Sequence, residues 1–398
     1  MKSQSFAVTI FSTFVLSTGS LFTGSLALAQ SGATSGSTPS GEAVDYPNIT
    51  VFRVPSEASR IGDIDFVNPK PMEKTIQTLP GNSQEPQHSA VARKSGHKSG
   101  RTPNSSAPKI PTVKLPKPIV LSSPPGVKPN NFGTSNHPFT NARNPQITDY
   151  PYSPSGKLFF NIGSSTYVCS ASVIQRGVVV TAAHCVANFG ASQLYSNWQF
   201  VPAYDNGNAP YGVWTASTAF VPTSYLNGTD RCSVTGVVCD NDVALLVMTP
   251  QSSYNVGDYT GWYGFSYGGF GFTSFLNNTA AQLTEIGYPV SLDNGVIQQR
   301  NDSLAYTDNN GSYQEIIGSL MTGGSSGGPW LLNYGVNPTV YPPNTQGQSW
   351  TDAPTVTGVT SWGYTTSYIK EQGASVFTSS NILTLYDKAC SDDASVCN

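Results

Sequence analysis

The sequence predicts an all-β protein, a sandwich or a barrel, with one short helix near its C-terminal end. Beyond about residue 143, short apolar and aromatic runs alternate with turns rich in Gly, Asn, Ser and Pro, a pattern typical of many short strands. Helical spacing is found only near residues 381–388, where Ile382, Leu385 and Tyr386 recur at helical intervals. The predicted strands are residues 157–162, 167–174, 178–182, 197–203, 213–221, 243–248, 282–288, 315–319, 330–333 and 356–362.

The first 29 residues have the organisation of a secretory signal peptide. Lys2 precedes an apolar run over residues 6–16, and Ala-Leu-Ala at residues 27–29 is a small-x-small cleavage pattern. Ser, Thr and Gly interrupt the apolar run, which is shorter than the roughly 20 residues of a membrane span. We therefore expect cleavage after Ala29, a secreted product and no membrane association once the signal is removed.

Residues 30–143 are predicted to form a largely irregular pro-region and Pro-rich linker. Residues 30–45 are rich in Ser, Gly and Thr, and prolines recur every few residues between 103 and 145, a composition that cannot build a core. The basic stretch of residues 93–101 is expected to be an exposed cleavage site, and Arg143 is a second candidate. Residues 144–398 are expected to be the folded domain.

The net charge of −3 is divided unevenly along the chain. Residues 1–143 carry 14 Lys and Arg against 7 Asp and Glu, whereas residues 144–398 carry 6 against 16. An acidic folded domain argues against nucleic acid as the main partner. The basic pro-region either docks on this domain through charge or forms a solvated tail, and the sequence leaves both interpretations open.

The cysteines fit an oxidising destination and fall into three close pairs along the chain. Many pairings are compatible with the sequence, but we expect the local one: Cys169–Cys185, Cys232–Cys239 and Cys390–Cys397. There is no Cys-x-x-Cys motif, and His184 has no partner motif of metal-binding spacing. The sequence therefore predicts neither a metal site nor a cofactor.

A glycine-rich loop at residues 322–330 is the strongest candidate for chemistry. Four glycines and Pro329 surround Ser325 and Ser326, and apolar residues flank the loop on both sides. Such a bend can present one hydroxyl and aim successive backbone N–H groups into the same space, the combination that acyl transfer requires. Taken alone, the loop is also compatible with a plain Gly/Ser turn.

A serine nucleophile needs a base, and His184 is the candidate. The other three histidines lie in the low-complexity N-terminal third, whereas His184 follows the apolar run that begins at Val178. Asp242 leads directly into the apolar run of residues 243–248, where an acid is costly unless it has a charged or hydrogen-bonding partner. Asp242 is therefore the candidate carboxylate, and Asp240 is its rival, with a solvated turn as its alternative role.

Residues 181–185, 242–246 and 324–329, in this chain order, resemble the signature blocks of the chymotrypsin/trypsin-like serine proteases. The resemblance covers about residues 155–390 and implies two six-stranded antiparallel β-barrels with a catalytic triad in the cleft between them. It makes His184 the general base, Asp242 its orienting carboxylate and Ser326 the nucleophile. It also makes the N–H groups of Gly324 and Ser326 the oxyanion hole, and the Cys169–Cys185 bridge the histidine-loop disulfide. Residues 283–289 and the sparse disulfides look closer to the bacterial, glutamyl-endopeptidase-related branch.

The resemblance also implies a set of substrate-binding residues: Leu320, Met321, Ser361, Trp362 and Gly363. The last three match the strand that pairs with the substrate backbone as an added β-strand. Leu320 stands where trypsin-like members keep the Asp that selects Arg or Lys, and Thr360 stands where the glutamyl branch has a His. We therefore expect small or apolar uncharged side chains in the pocket. Ser325 replaces the Asp that, in animal members, pairs with the new N-terminus on activation.

Together these features predict a monomeric serine endopeptidase that is secreted as a zymogen and acts on proteins or peptides. Its own basic pro-region is an expected partner before maturation. The alternative is a catalytically silent protease-like β-barrel that binds a protein or glycan, suggested by Ser325 and by aromatic residues expected to be exposed: Trp262, Tyr263, Phe265, Tyr267 and Phe270. An esterase with the same triad is a third interpretation.

Overall fold

The computed structural model describes residues 43–55, 57, 60–77, 96–117, 139–144, 146–268, 273–275, 278–308, 314–334, 354–365 and 369–398. All of them belong to the compact unit Ser37–Asn398. The expected signal peptide, residues 1–29, lies outside the described residues. Within the described residues, no helix has the length and apolar character needed to cross a bilayer.

Short strands are scattered along the N-terminal region. They are β1 (Ala43–Tyr46), β2 (Ile49–Arg53), β3 (Lys70–Pro71), β4 (Thr75–Ile76), β5 (Gly96–Lys98), β6 (Val113–Lys114) and β7 (Phe139–Arg143). The described parts of this region are otherwise mostly irregular, as the sequence predicts for a Pro-rich segment.

The first barrel is built from strands rich in β-branched and aromatic residues. The strands of this part are β8 (Ser155–Ile162), β9 (Ser165–Gln175), β10 (Val178–Thr181), β11 (Ala187–Asn188), β12 (Gln193–Leu194), β13 (Ser196–Pro202), β14 (Asn208–Ala209), β15 (Trp214–Pro222), β16 (Cys232–Val234), β17 (Val238–Cys239) and β18 (Ala244–Met248). Six of them pair antiparallel in the order β15-β13-β8-β9-β10-β18, and β18 pairs back to β15. Closure removes both sheet edges and buries residues such as Leu158, Val180 and Leu245 completely.

The second barrel closes in the same way. Its strands and their neighbours are β19 (Gly264–Tyr267), β20 (Thr273–Phe275), β21 (Asn278–Gly287), β22 (Gln299–Asp308), β23 (Gln314–Gly318), β24 (Pro329–Leu332), β25 (Thr355–Tyr364) and β26 (Glu371–Val376). Six of them pair antiparallel in the order β21-β22-β23-β26-β25-β24, and β24 pairs back to β21. The predicted pair of six-stranded antiparallel barrels is confirmed.

Helices are few and short among the described residues: α1 (Thr223–Asn227), α2 (Val256–Thr260) and α3 (Thr384–Asp392). A π-helical turn, Ser379–Leu383, leads directly into α3. This helix buries Leu385, Tyr386 and Ala389, the last of which the sequence pattern did not include. The C-terminal helix is thus confirmed, and it extends to Asp392, beyond the predicted end.

The N-terminal region docks on both barrels through its backbone. Strands β2, β3 and β6 pair with β15, β9 and β14, and strands β4, β5 and β7 pair with β25, β19 and β22. Apolar contacts accompany the pairing, since Phe66 packs edge-on against Phe159 with ring centroids 4.8 Å apart. Residues 96–98 are half-buried in β5, so the expectation of an exposed basic stretch over residues 93–101 is wrong there. Residues 93–95 lie outside the described residues.

Candidate active site

His184 lies in a 3-10 turn, Ala183–Cys185, that begins two residues after the end of β10. The turn is fixed on two sides, because Cys185 is bonded to Cys169 of β9 and its carbonyl accepts the indole N–H of Trp198 at 3.1 Å. The side chain of His184 is 1% exposed. The other two expected bridges, Cys232–Cys239 and Cys390–Cys397, are also present.

Asp242 stands two residues before β18, fully buried and turned towards His184. Its Oδ1 accepts the backbone N–H of His184 at 2.8 Å, and its Oδ2 lies 2.7 Å from His184 Nδ1. The hydroxyl of Ser361 donates to the same Oδ2 at 2.6 Å. A carboxylate can only accept, so Nδ1 carries a proton, and the neutral imidazole keeps its lone pair on Nε2.

The electrostatics of this pair favour an ionised acid. Burial alone would raise the pKa of Asp242, but the hydrogen bond of His184 and the positive charge of that ring when it is protonated, with Lys74 and Ser361, lower the pKa to about 2. Charge-assisted hydrogen bonds in a dry site are the stronger kind, so their effect exceeds that of desolvation. The acid can therefore stabilise an imidazolium when one forms. By contrast, its rival Asp240 pairs with Arg231 at the surface, 2.6 Å away.

Ser326 lies in the loop between β23 and β24, and this loop is held against the first barrel. Its carbonyl accepts the N–H of Ser170 at 2.7 Å, and the Ser170 hydroxyl donates to the carbonyl of Gly324 at 2.8 Å. Gly324 has φ +95°, and a Cβ there would lie 2.6 Å from the carbonyl oxygen of Tyr288. Only glycine adopts that conformation without strain, which is the physical role of this position in the loop.

The hydroxyl of Ser326 makes no hydrogen bond to His184 Nε2 in this structure. It donates instead to the carbonyl oxygen of Met72, at 3.2 Å, and the backbone N–H of Gly324 donates to the same oxygen at 2.9 Å. His184 Nε2 is buried with no hydrogen-bond partner among the described residues. The predicted hydrogen bond between base and nucleophile is therefore absent in this state, because a carbonyl from the N-terminal region holds the hydroxyl.

A neutral network fixes Ser325, the residue before Ser326. The Ser325 hydroxyl donates to the carbonyl of Thr322 at 2.8 Å, and the Gln372 amide donates to Ser325 Oγ at 3.1 Å and to the Met321 carbonyl at 2.8 Å. The loop is thus anchored without an N-terminal ammonium ion pair. Sequence reasoning missed Gln372, because a polar residue inside β26 gives no local signal of what it will contact.

The expected substrate-binding residues lie in two neighbouring places. Met321 is buried beside half-exposed Leu320, while Ser361, Trp362 and Gly363 are consecutive residues of β25. Trp362 turns away from the loop, and its indole N–H donates to Gln314 at 2.9 Å. The side chain of Gln372 connects the two places. Its amide donates to the Met321 carbonyl, and it would lie 3.7 Å from a Cβ added to Gly363.

Glu285 of β21 is a fully buried carboxyl group that hydrogen-bonds to the sequence neighbours of Leu320 and Ser361. It accepts hydrogen bonds from Ser319 at 2.7 Å, Thr360 at 3.2 Å and Asn301 at 3.3 Å. Burial raises the pKa of Glu285 to about 7, although these hydrogen bonds lower it in part. Thr360, which stands where the glutamyl-endopeptidase branch has a His, therefore donates a hydrogen bond to a buried acid.

Glu285→Gln should change how stability depends on pH. The folded state keeps a proton on Glu285 up to pH about 7, whereas the unfolded chain loses it near pH 4.5, the ordinary value. The free energy of unfolding should therefore fall as pH rises between these values, by about 3 kcal/mol in total. Thermal unfolding at pH 5 and pH 8 should show the variant's stability relative to the native chain rising with pH. Glu371→Gln, at a half-exposed site on β26, is the control, and parallel curves for Glu285→Gln and the native chain would contradict the account.

Among the described residues, two groups of side chains lie close enough together to suggest metal binding: Cys169 with His184 and Cys185, and Asp230 with Cys232 and Cys239. In both groups the two cysteines are bonded to each other. Because the thiolate is the metal-binding form of cysteine, neither group offers the ligand set that its spacing suggests.

Comparisons with known proteins place the chain in a family. A trypsin family model matches residues 143–384. The glutamyl endopeptidase of Bacillus licheniformis is 24% identical over 182 residues, which cover 46% of this chain and 49% of that protein, so the match spans about half of this relative's length. Two solved structures cover 61% of this chain with TM-score 0.47: the protease Anisep from Arthrobacter nicotinovorans, at 27% identity and 98% of its length, and the thermostable serine protease AL20 from an extremophilic microorganism, at 26% and 99%. The expected likeness to a bacterial glutamyl endopeptidase is confirmed. The chain belongs to the trypsin family of chymotrypsin-like serine proteases.

Proposed function

We propose that the protein is a secreted serine endopeptidase that hydrolyses peptide bonds through an acyl-enzyme. Ser326 attacks the peptide carbonyl, His184 Nε2 takes its proton and returns it to the leaving amine, and Asp242 orients the imidazole. The observation that carries the proposal is the buried His184–Asp242 pair, at 2.7 Å, in a turn that lies next to the glycine loop, since Cys185 Sγ is 3.8 Å from the Ser326 carbonyl oxygen. Water then hydrolyses the ester on Ser326.

The oxyanion hole is assigned to the backbone N–H groups of Gly324 and Ser326. Support comes from Met72, whose carbonyl oxygen already lies 2.9 Å from the Gly324 nitrogen and 3.2 Å from Ser326 Oγ. A carbonyl therefore fits within reach of both nucleophile and donor, the position where negative charge develops in the reaction.

The proposed domain organisation has three parts, and removal of the second part activates the third. We infer a signal peptide at residues 1–29, a pro-region at 30–143 and a protease domain at 144–398, with proteins or peptides as substrates and a monomer as the active form. Arg143 is exposed and paired with Asp293 at the boundary. The neutral Ser325–Gln372 network supports a loop that is already formed before any cut. Removal of the pro-region, rather than an ion pair at a new N-terminus, is then the activating step.

The alternative of a silent binding barrel loses its main support. Trp262, Tyr263 and Phe265, expected to be exposed, are buried in the core, and Tyr267 is half-buried. Phe270 lies outside the described residues.

Cleavage of a denatured protein by the secreted, processed chain tests the proposal, with a matched peptide and ester of the same acyl group alongside. We expect new peptide termini and turnover of both small substrates, all blocked by prior treatment with a fluorophosphonate. Turnover of the ester alone would replace the endopeptidase by an esterase. No turnover by a processed, folded chain would refute the proposal.

The primary specificity pocket should be small, because Gln372 fills the space between Gly363 and Met321. Gln372→Ala should raise kcat/KM for a peptide with Phe before the scissile bond, relative to one with Ala, by at least about tenfold. The ratio is informative even if both values fall. Gln314→Ala is the matched control, since it removes a buried amide bonded to Trp362 but not to Ser325 or Met321, and it should leave the ratio unchanged. An unchanged ratio in Gln372→Ala would contradict the assignment of the pocket.

A further inference from the structure

We propose that residues 70–76, here termed the cleft segment, are a built-in inhibitor that binds the active-site cleft in the direction opposite to a substrate. This inference rests on the proposed function, because it takes Ser326 as nucleophile and β25 as the strand that holds the acyl side of the substrate. It adds the identity of the inhibiting residues, their direction and the contact that fixes them.

The N-terminal end of the cleft segment pairs with the first barrel. Lys70 and Pro71 form β3, which lies parallel to β9 opposite Tyr167 and Val168. The N–H of Met72 then donates to the carbonyl of Val168 at 3.0 Å. This end of the cleft is next to Cys169, and so next to the disulfide of the histidine turn.

The centre of the segment lies at the catalytic loop. The Met72 carbonyl accepts from the Gly324 N–H and from the Ser326 hydroxyl, as described above. It therefore engages Gly324 N–H, one of the two donors assigned to the oxyanion hole, in place of a substrate carbonyl. At the same time it engages the hydroxyl proton that His184 would have to remove, which keeps the nucleophile unactivated.

The C-terminal end pairs with the second barrel. The Lys74 carbonyl accepts the Gly363 N–H at 2.9 Å, and β4 (Thr75–Ile76) lies parallel to β25 opposite Gly363 and Tyr364. The Ile76 carbonyl accepts the N–H of Thr365 at 2.9 Å. Ile76 is buried, so the segment is anchored on both barrels.

The direction of the chain follows from these contacts. In a substrate, the residues on the acyl strand precede the carbonyl that is attacked. In the cleft segment, the residues on β25 follow the Met72 carbonyl, and the residues that precede it lie on β9. The parallel pairing of β3 with β9 and of β4 with β25 reflects this reversed direction. A peptide bound in this direction presents its carbonyl with the leaving nitrogen on the acyl side, so the segment can occupy the site without being cut there.

Lys74 gives the segment its strongest side-chain anchor. Its ammonium group donates to the Tyr225 hydroxyl and to the Gly236 carbonyl, and it lies 4.9 Å from the centroid of the Tyr225 ring. It is half-buried, and burial lowers its pKa, although the negative charges of Asp242 and Asp230 act in the opposite direction. A cation held by aromatic faces and acceptors in this way is costly to replace.

Fluorophosphonate labelling of the uncut full-length chain tests the proposal. Lys74→Ala should increase the labelling rate of Ser326 by at least about tenfold, because the segment dissociates more often. Lys98→Ala is the matched control: this lysine also lies over a tyrosine ring, 5.3 Å from the centroid of Tyr386, but in β5 and away from the cleft segment. It should label at the native rate.

A second measurement does not depend on the variant folding. A synthetic peptide of residues 68–77, added to the processed enzyme, should inhibit competitively and remain intact by mass spectrometry, and the same peptide with Ala for Lys74 should bind at least about tenfold more weakly. Cleavage of the native peptide after Met72, or no inhibition by it, would overturn the reversed-inhibitor proposal. If the processed chain is not labelled at all, the proposed function fails instead, so the two failures are distinguishable.

Discussion

Ser326→Ala should lower kcat for peptide hydrolysis by about five to six orders of magnitude, with little change in KM. The substitution removes the atom that, in the proposed mechanism, forms the acyl-enzyme, and the residual rate would then come from the oxyanion hole and from substrate binding. Ser325→Ala is the matched control in the same loop. It loses hydrogen bonds to Thr322 and Gln372 but leaves the nucleophile in place, so we expect a decrease of less than about a hundredfold.

Steady-state kinetics on the processed proteins give the comparison directly. Equal losses in the two variants would mean that the loop acts as a whole and that Ser326 has no special role. Activity retained by Ser326→Ala, with lost activity in Ser325→Ala, would move the nucleophile to the neighbouring hydroxyl.

Asp242→Asn should lower kcat by about four orders of magnitude at neutral pH. In the native chain the Asp242 carboxylate accepts hydrogen bonds from His184 Nδ1–H, the His184 backbone N–H and the Ser361 hydroxyl. The Asn amide would instead place an N–H donor among these donors. The imidazole must then adopt the other tautomer, with its proton on Nε2, where it can no longer act as a base. The variant should fold, because Asn has nearly the same volume as Asp.

Asp240→Asn is the control for that variant, two residues away in the same turn. Asp240 pairs with Arg231, whose side chain is 49% exposed, and a surface ion pair of this kind contributes little. We expect kcat within a factor of about two of the native value. A large loss in Asp240→Asn with none in Asp242→Asn would exchange the two assignments.

Much of the fold was readable because its apolar strands are locally distinct. The ten predicted strands correspond to β8, β9, β10, β13, β15, β18, β21, β23, β24 and β25. Strands β22 and β26 complete the second barrel and were missed. In β22 the inward positions include polar Asn301 and Ser303, and in β26 a small residue is required, since a Cβ on Gly373 would lie 2.2 Å from the Trp362 ring. Neither strand has the alternating apolar pattern that signals a strand.

In the site, too, some residues have a local sequence signal and others do not. His184, Asp242 and Ser326 could be selected from their neighbours in sequence, because each stands at the end of an apolar run or inside a glycine loop. Gln372 and Lys74 could not, because they act through contacts 47 and 151 residues away along the chain. Outside the short strands β1–β7, the described residues of the N-terminal region are mostly irregular, as their composition indicated. That composition gave no sign that backbone pairing would place the Met72 carbonyl at the catalytic loop.

The central claim is that Ser326, activated by the buried His184–Asp242 pair, is the acylated residue. Mass-spectrometric mapping of the processed protein after fluorophosphonate treatment tests it most directly. The account predicts one adduct per chain, on Ser326, with none on Ser325, and loss of the adduct in His184→Ala. An adduct on another residue, or unchanged labelling of the Ser326→Ala chain, would contradict it.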